Sequence, residues 1–214
     1  MTLRPTVVSP ASMMARGVKK DRPVQKKMVI DCKNDSHWRA IHTPAVNGVV
    51  LRRRPIRAIE TFMNNAGPET FETNEFICPQ SQLRKNLEKL FPLTSDDEEM
   101  RRKFLINDIL NMSRIMISQT RSRDFKFTIC SDLPTGFQLD AAPMKMFLTY
   151  RGLDITFRQP KDKDIRTFNP YGVGLFRGQT YSTSDASPVE WYATRTSDDA
   201  FYLTIEPYSK RMRR

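Results

Sequence analysis

The spacing of apolar residues divides the chain into a helical part and a later extended part. Between Leu105 and Met116 the apolar positions recur at alternating steps of four and three, which places them on one face of a helix. Ser95 followed by Glu98 fits a capping box, so this helix is predicted over residues 96–119. Its methionine-containing stripe favours ordinary core packing over a groove for a partner.

Two shorter helices are predicted earlier in the chain. Pro55 suits the first turn of a helix that runs to about residue 66, where a Gly-Pro pair stops it. Ser81 is the predicted N-cap of a second helix, and Pro92 ends it. Before both helices, residues 49–51 have the composition of a strand.

Beyond residue 122 the apolar period changes from helical to alternating, which is typical of strands. Aromatic residues within such strands are expected to lie in the core. Helices followed by strands predict an α+β domain whose sheet curls into a small barrel or jelly roll. Six strands are predicted, with Gly, Pro, Asp and Ser between them: residues 125–130, 144–151, 154–158, 172–177, 189–194 and 201–206.

The length suits one domain with a sizeable core, which we assign to residues 36–207. Residues 1–35 lack sustained periodicity and are predicted to be a flexible basic arm, and residues 208–214 a basic tail. The chain has no run of about 18 apolar residues, as a membrane span requires. Because a secretory signal and a cysteine framework are also absent, we expect a soluble protein of the cytoplasm.

The net charge of +11 is concentrated near the N-terminus. Residues 1–57 carry 13 Lys and Arg against 3 Asp and Glu, whereas residues 58–205 carry 18 against 20. Basic ends attract anionic partners through phosphate contacts, and they also keep a protein soluble. From these basic ends we predict that the partner is an acidic macromolecule such as nucleic acid or a ribonucleoprotein. The candidate anion-binding residues form the densest basic clusters: Lys19, Lys20, Arg22, Lys26, Lys27, Arg52, Arg53 and Arg54.

Familiar catalytic motifs are absent from the sequence. It has no phosphate loop, dinucleotide-binding glycine turn, nucleophile elbow or paired Cys-x-x-Cys motif. His37 and His42 form a His-x4-His pair that would need further ligands from Cys32 or Asp31 to hold zinc, so a structural role is favoured. The other two cysteines are expected to be small buried thiols.

The segment Gln138-Leu139-Asp140 has the form of a His-x-Asp metal motif in which glutamine replaces the histidine. In iron- and 2-oxoglutarate-dependent dioxygenases, such a pair and a distal histidine supply three facial iron ligands. Both histidines of this chain lie about a hundred residues before the motif. Asp140 precedes an Ala-Ala-Pro segment, where an Asx-type turn is favoured over metal binding.

Four segments carry a resemblance to a known family: residues 137–140, 148–152, 172–178, and 193–197 with the strand after it. In this order they resemble an uncharacterised bacterial family with a dioxygenase-like double-stranded β-helix core. Its members show Phe-His-x-Asp, Thr-Tyr-x-Gly, a Leu-x-x-Gly turn and a late His-Arg-Ser. The resemblance covers residues 38–206. It implies N-terminal helices packed on an antiparallel β-barrel or jelly roll of the double-stranded β-helix type.

The resemblance also implies a pocket with altered ligands. Gln138 stands where the first histidine is expected, Asp140 matches the carboxylate, and Thr194 stands where the distal histidine is expected. A Gln amide and a Thr hydroxyl are poor iron ligands, so we expect no metal and no cofactor. Arg195 could hold a carboxylate or a phosphate, and Tyr150 is the remaining pocket candidate.

Three hypotheses from different classes follow. The first is a non-catalytic binding or accessory protein on a degenerate dioxygenase-like barrel, which engages an acidic macromolecule through its basic ends. The second is an active iron and 2-oxoglutarate oxygenase with relocated ligands, His37 or His42 among them. The third is a phage or bacterial nucleic-acid-binding protein. The replaced histidines favour a protein that is not an enzyme.

Overall fold

The computed structural model describes residues 28–66, 73–93, 96–130, 133–159, 165–168, 170–181, 188–197 and 200–209. Strands and helices alternate in its first half, and strands alone follow. The first half consists of β1 (Met28–Asp31), a 3-10 helix (Asp35–His42), β2 (Val46–Leu51), α1 (Arg57–Asn65), β3 (Asn74–Pro79), α2 (Gln80–Leu90) and α3 (Asp96–Gln119). The second half consists of β4 (Asp124–Cys130), β5 (Gln138–Leu139), β6 (Met144–Arg151), β7 (Leu153–Arg158), β8 (Arg166–Phe168), β9 (Val173–Arg177), β10 (Glu190–Arg195) and β11 (Phe201–Tyr208).

The strands form two sheets. The larger has the order β1-β2-β9-β6-β11-β4-β3, and the smaller has the order β5-β10-β7-β8. In the described residues only β1 and β2 pair in parallel. Both sheets have open edges, so the fold is a mixed α+β structure with a jelly-roll arrangement of sheets. The closed barrel, one of the two forms predicted from the sequence, is therefore wrong.

Two hydrophobic clusters lie on opposite faces of the larger sheet. Side chains alternate along β6, so Met146 and Leu148 join the helices in one cluster, while Phe147 joins the other. The second cluster combines Phe176 of the larger sheet with Phe157 of the smaller one, whose ring centroids are 5.0 Å apart. The interior between the sheets is therefore aromatic core, as the sequence predicts.

The long helix α3 has the predicted bounds, and Leu105, Ile109 and Met116 on its apolar face are fully buried. The predicted cap Ser95 lies outside the described residues. The prediction for Ser81 is wrong, because α2 begins at Gln80 and its N-cap residue makes no side-chain cap hydrogen bond. That residue is also the last one of β3, so strand and helix join without an intervening loop that could present a serine cap.

All six predicted strands are confirmed to within two residues at each end. The sequence did not predict β1, β3, β5 or β8. The strand β1 lies inside the predicted arm, where its residues pair with β2, so the arm prediction is wrong for Met28–Asp31. Strands β1, β2 and β3 also precede or separate the helices, which corrects the predicted order of helices first and strands afterwards. At the other end, β11 extends to Tyr208, one residue into the predicted tail.

Gly152 carries the chain from the larger sheet to the smaller one between β6 and β7. Its φ of 55° lies in the left-handed region, and a Cβ atom there would collide with the Ser197 side chain. Only glycine fits both the backbone and the space. In the described part of the chain, no helix combines the length and apolar character needed to cross a lipid bilayer.

Candidate functional site

Asp140 forms a charge cluster with Lys145 and Glu206. Lys145 Nζ lies 2.5 Å from Asp140 Oδ1 and 2.7 Å from Glu206 Oε1. The other carboxylate oxygen, Asp140 Oδ2, accepts a hydrogen bond of 2.7 Å from Trp191 Nε1. The three charged side chains are only 13% to 17% exposed. We call these four residues the Lys145 cluster.

The cluster faces the space between the two sheets. Lys145 is the second residue of β6, and side-chain alternation puts it on the same face as Phe147. Its ammonium lies 5.6 Å from the centroid of the Phe147 ring and 5.3 Å from that of Trp191 on β10. The register that pairs Ile205 with Met146 brings Glu206 beside Lys145. Charge pairing and two aromatic faces therefore stabilise the ammonium together.

The surroundings keep Lys145 protonated. Burial by itself lowers the pKa of Lys145, but Asp140 and Glu206 together outweigh it, so the pKa lies above its ordinary value. Burial raises the pKa of Asp140, and the lowering by Lys145 and Trp191 does not cancel that effect. An ammonium with a raised pKa offers no lone pair at neutral pH, so Lys145 can serve neither as a metal ligand nor as a nucleophile.

These side chains do not fit an iron ion. Both Asp140 oxygens already have partners, and the neighbouring ammonium would repel a metal cation. Gln138 is exposed on β5, and its amide nitrogen donates to the Thr135 carbonyl oxygen at 3.4 Å. Within the described ranges, no group of three or more His, Cys, Asp and Glu side chains could hold a metal ion. The favoured Asx-type turn at Asp140 also needs correction, because its side-chain partners are Lys145 and Trp191 and not backbone groups.

Thr194 is not brought next to Asp140. On β10 the residue paired with Gln138 is Trp191, whereas Thr194 pairs with Asp154 of β7. Three residues along a strand correspond to about 10 Å. As a correction to the sequence-based assignment, Trp191 is therefore the β10 residue that contacts Asp140. Thr194 and Arg195 are both exposed at the end of this strand.

Tyr150 and Arg53 belong to a different buried network, on the helix side of the larger sheet. The Tyr150 hydroxyl donates to Asp108 Oδ2 at 2.7 Å, and Arg53 Nη1 lies 2.6 Å from Asp108 Oδ1. Arg53 Nε also donates to the Tyr171 carbonyl oxygen at 2.7 Å. Burial, together with the Asp108 charge, raises the pKa of Tyr150 well above its ordinary value. Both residues tie α3 to the sheet. Their assignments to a pocket and to an anion-binding surface stay predictions.

Two further basic candidates, Arg52 and Arg54, lie apart from the Lys145 cluster. Arg52 Nη1 donates to the Thr167 carbonyl oxygen at 3.0 Å, and its Nε lies 3.5 Å from Asp31 Oδ1 on the surface. Arg54 is exposed beside it. The remaining five candidates lie outside the described residues: Lys19, Lys20, Arg22, Lys26 and Lys27.

The two histidines make local and tertiary contacts at the 3-10 helix. His37 Nδ1 accepts a hydrogen bond of 2.9 Å from the Lys33 backbone, and His42 Nδ1 lies 3.1 Å from the Tyr181 hydroxyl. The expected burial of free cysteine is confirmed for Cys78, and Cys32 is buried as well. The Cys130 side chain lies outside the described part of the structure.

Sequence reasoning found Asp140 but missed its partners. A usable signal was present, because Lys145 interrupts an apolar strand at a position whose neighbours on the same face point inward. Glu206 does the same near the end of β11. A charged residue in such a position indicates a buried partner of opposite charge. The identity of that partner follows only from the sheet register.

The fold defines this protein as one with an oxygenase-like jelly roll, which confirms the predicted dioxygenase-like fold. The crystal structure of a full-length Neurospora crassa protein in complex with alpha-KG and 5-formyluracil has a TM-score of 0.50 to it, with 9% identity over 86% of this chain and 85% of that one. A putative oxygenase from Shewanella oneidensis has a TM-score of 0.46, with 9% identity over 86% and 90% of the chains. At such identities the likeness is one of fold alone.

The chain belongs to a family described as proteins of unknown function (DUF1826), whose model matches residues 33–191. This range includes Asp140, Lys145 and Trp191, while Glu206 lies beyond it. No curated protein matches the sequence.

Proposed function

We propose that this protein is a non-catalytic binding or accessory protein in which the Lys145 ammonium takes the role of a metal cation in an oxygenase-like jelly roll. One observation carries the proposal: Lys145 Nζ lies within 2.7 Å of both Asp140 and Glu206. Asp140 is the carboxylate that the family resemblance assigns to iron. A covalently attached cation already satisfies it, so a metal ion would have to displace the ammonium from this carboxylate.

The ligand chemistry supports the same conclusion. Iron in this class of oxygenase is held by two imidazoles and one carboxylate. The indole of Trp191 stands beside the carboxylate instead, and its nitrogen is a donor without an available lone pair, while Gln138 is exposed and bonded to Thr135. The aspartate alone gives too few ligands. We therefore propose that the space between the sheets serves as packed framework and does not turn over substrate.

The metal prediction can be measured on the full chain. After anaerobic incubation with iron(II) followed by desalting, we expect well under one iron atom per chain. When 2-oxoglutarate, iron(II) and air are then supplied, we expect no succinate above the background. Asp140→Asn should leave both readings unchanged, because the carboxylate is not a metal ligand. Elemental analysis gives the iron content, and chromatography gives the succinate.

The competing hypothesis is an active oxygenase with relocated ligands, which the likeness of fold favours in general terms. Stoichiometric iron together with succinate formation, both abolished by Asp140→Asn, would establish that hypothesis and remove ours. Iron that is retained equally by wild type and Asp140→Asn would indicate binding elsewhere on the chain.

The partner that we propose is an acidic macromolecule, engaged by the basic ends. The support for this is the charge distribution, with 13 Lys and Arg against 3 Asp and Glu in residues 1–57. Neutralising phosphates releases counterions, so binding of this kind weakens steeply with salt. The buried free thiols Cys32 and Cys78 agree with a reducing compartment, and we propose the cytoplasm.

Replacing five N-terminal cations with glutamine tests the partner directly. We expect at least a tenfold loss of affinity for a 20-nucleotide single-stranded RNA and a shallower dependence on salt, by about 0.7 in the logarithmic slope for each lost phosphate contact. Fluorescence anisotropy between 50 and 200 mM salt measures both. The variant carries Gln at Lys19, Lys20, Arg22, Lys26 and Lys27.

A matched variant controls for the loss of net charge alone. Its affinity should stay within a few-fold of wild type. This variant carries glutamine in place of five exposed cations elsewhere: Lys85, Lys89, Lys103, Arg114 and Arg123. Equal losses in the two variants would mean that overall charge, and not the N-terminal segment, holds the RNA.

A further inference from the structure

A cavity of about 570 Å³ lies where the C-terminal end of α3 meets the beginning of β6 and the segment that follows β9. Gln119 and Arg121 line it from the helix end, Met144 from β6, and His42 and Tyr181 from the opposite side. Its volume is within the range of about 300–1,000 Å³ that small-molecule pockets occupy. Met144 and Lys145 point to opposite faces of β6, so this cavity is separate from the Lys145 cluster.

Gln119 presents an unused hydrogen-bond acceptor at this cavity. The residue is only 7% exposed, and its Oε1 has no hydrogen-bond partner in the described part of the chain. Its Nε2 donates to Ser118 Oγ at 2.7 Å, and the single hydrogen of that hydroxyl is donated to the Ile115 carbonyl oxygen at 2.7 Å. Rotating the amide would set Oε1 against an oxygen that has no hydrogen left to give. The orientation is therefore determined, and none of the described residues supplies the donor that this buried acceptor requires.

The cavity also has a positive electrostatic bias. Arg121 is exposed on its wall, and no ion pair joins it to another described residue. Behind the wall, the buried Arg177 guanidinium lies 4.2 Å from the centroid of the Tyr181 ring. Arg177 Nε donates to the Ile41 carbonyl oxygen at 2.8 Å, but Nη1 has no partner among the described residues. Neither Asp nor Glu is among the described residues that line the cavity, so the two cations favour an anion there.

We infer that this cavity binds a small organic anion that also carries a hydrogen-bond donor, namely a phosphorylated or carboxylated hydroxy compound. The hydroxyl of the ligand donates to Gln119 Oε1, and Arg121 binds the anionic group. His42 and Tyr181, joined by a contact of 3.1 Å, form the wall opposite these two residues. This assignment rests on the cavity alone and is independent of whether the jelly roll holds a metal.

Four probes separate the two requirements. Glycerol 3-phosphate and D-glycerate each combine a hydroxyl with an anion, whereas glycerol has only the donor and acetate only the charge. We expect calorimetric titration of the full chain at low salt to show that one of the first two binds at least tenfold more tightly than both glycerol and acetate. Which of them binds distinguishes a phosphate ligand from a carboxylate ligand.

Two substitutions connect the binding to the named atoms. Gln119→Met removes the acceptor at similar length, and Arg121→Gln removes the charge. Each should weaken the better probe at least tenfold. Arg123→Gln is the matched control, because Arg123 is exposed two residues further along and does not line the cavity. It should leave the affinity within twofold of wild type.

Thermal unfolding without a probe shows whether each variant is folded. Gln119→Met should keep or raise the unfolding temperature, because it removes an unpaired buried acceptor. If Gln119→Met does not fold, the exposed Arg121→Gln carries the test. The inference is overturned if neither glycerol 3-phosphate nor D-glycerate binds at 10 mM, or if their binding is unchanged in the folded variants.

Discussion

Lys145→Met is expected to lower the free energy of unfolding by about 3–5 kcal/mol, because it leaves the carboxylates of Asp140 and Glu206 buried without their cation. Methionine keeps an unbranched apolar stem close to that of lysine while removing the ammonium, so the packing of the stem changes little. Urea unfolding at pH 7 measures the loss. Lys126→Met is the matched control: its partner Glu75 is half exposed, so we expect a loss of no more than about 1 kcal/mol.

The loss in Lys145→Met should also depend on pH. The pKa of Asp140 already lies above its ordinary value, and removing the neighbouring ammonium raises it further. A carboxyl group with a raised pKa takes up its proton in the folded state before it does so in the unfolded chain. Stability of the variant therefore increases as the pH falls from 7 towards the ordinary pKa of 3.8. A loss that equals that of Lys126→Met, or that is the same at pH 5 and pH 7, would contradict the charge cluster.

Asp108→Ala is also expected to lower the free energy of unfolding by about 3–5 kcal/mol, because one carboxylate binds both Arg53 and Tyr150. The Arg53 side chain is 14% exposed, and without Asp108 its charge would be left largely buried and unpaired. The Tyr150 hydroxyl would lose its acceptor at the same time. Urea unfolding again gives the measurement. Asn107→Ala, on the exposed side of the same helix turn, should cost less than about 1 kcal/mol.

A double-mutant cycle separates this network from simple loss of contacts. Replacing Arg53 with Met and Asp108 with Leu together removes the charge and its partner, so the double variant should be less destabilised than the sum of the two single changes. Additive losses would mean that the two residues act independently.

The local pattern of apolar residues was sufficient to predict the helices and strands that have one clearly apolar face. The period of α3 and the alternation of β4, β6 and β11 are properties of consecutive residues, and these elements have nearly the predicted bounds. The short strand β1 has only four residues and gains its hydrogen bonds from β2, so nothing within it distinguishes a strand from an arm. The first residue of α2 is set by its direct junction with β3, and not by a serine cap.

The site was predictable only in part, for a related reason. The motif at residues 138–140 located the carboxylate, because it is contiguous in sequence. The transfer of the distal position to Thr194 failed because each residue along a strand shifts a side chain by about 3.3 Å and to the opposite face. Trp191, which does contact Asp140, could be identified only from the pairing of β10 with β5.

By itself, the sequence determined the α+β composition and the buried faces of the long helix and the main strands, and it predicted a dioxygenase-like motif at residues 138–140 without imidazole ligands. Tertiary structure alone decided that Lys145 and Glu206 meet Asp140, that Arg53 and Tyr150 are bound to Asp108, and that Gln119 and Arg121 share a cavity. Hydrophobic periodicity is encoded in neighbouring residues. The pairing of charges depends on register between strands far apart in the chain, which is established only when the sheets and helices pack together.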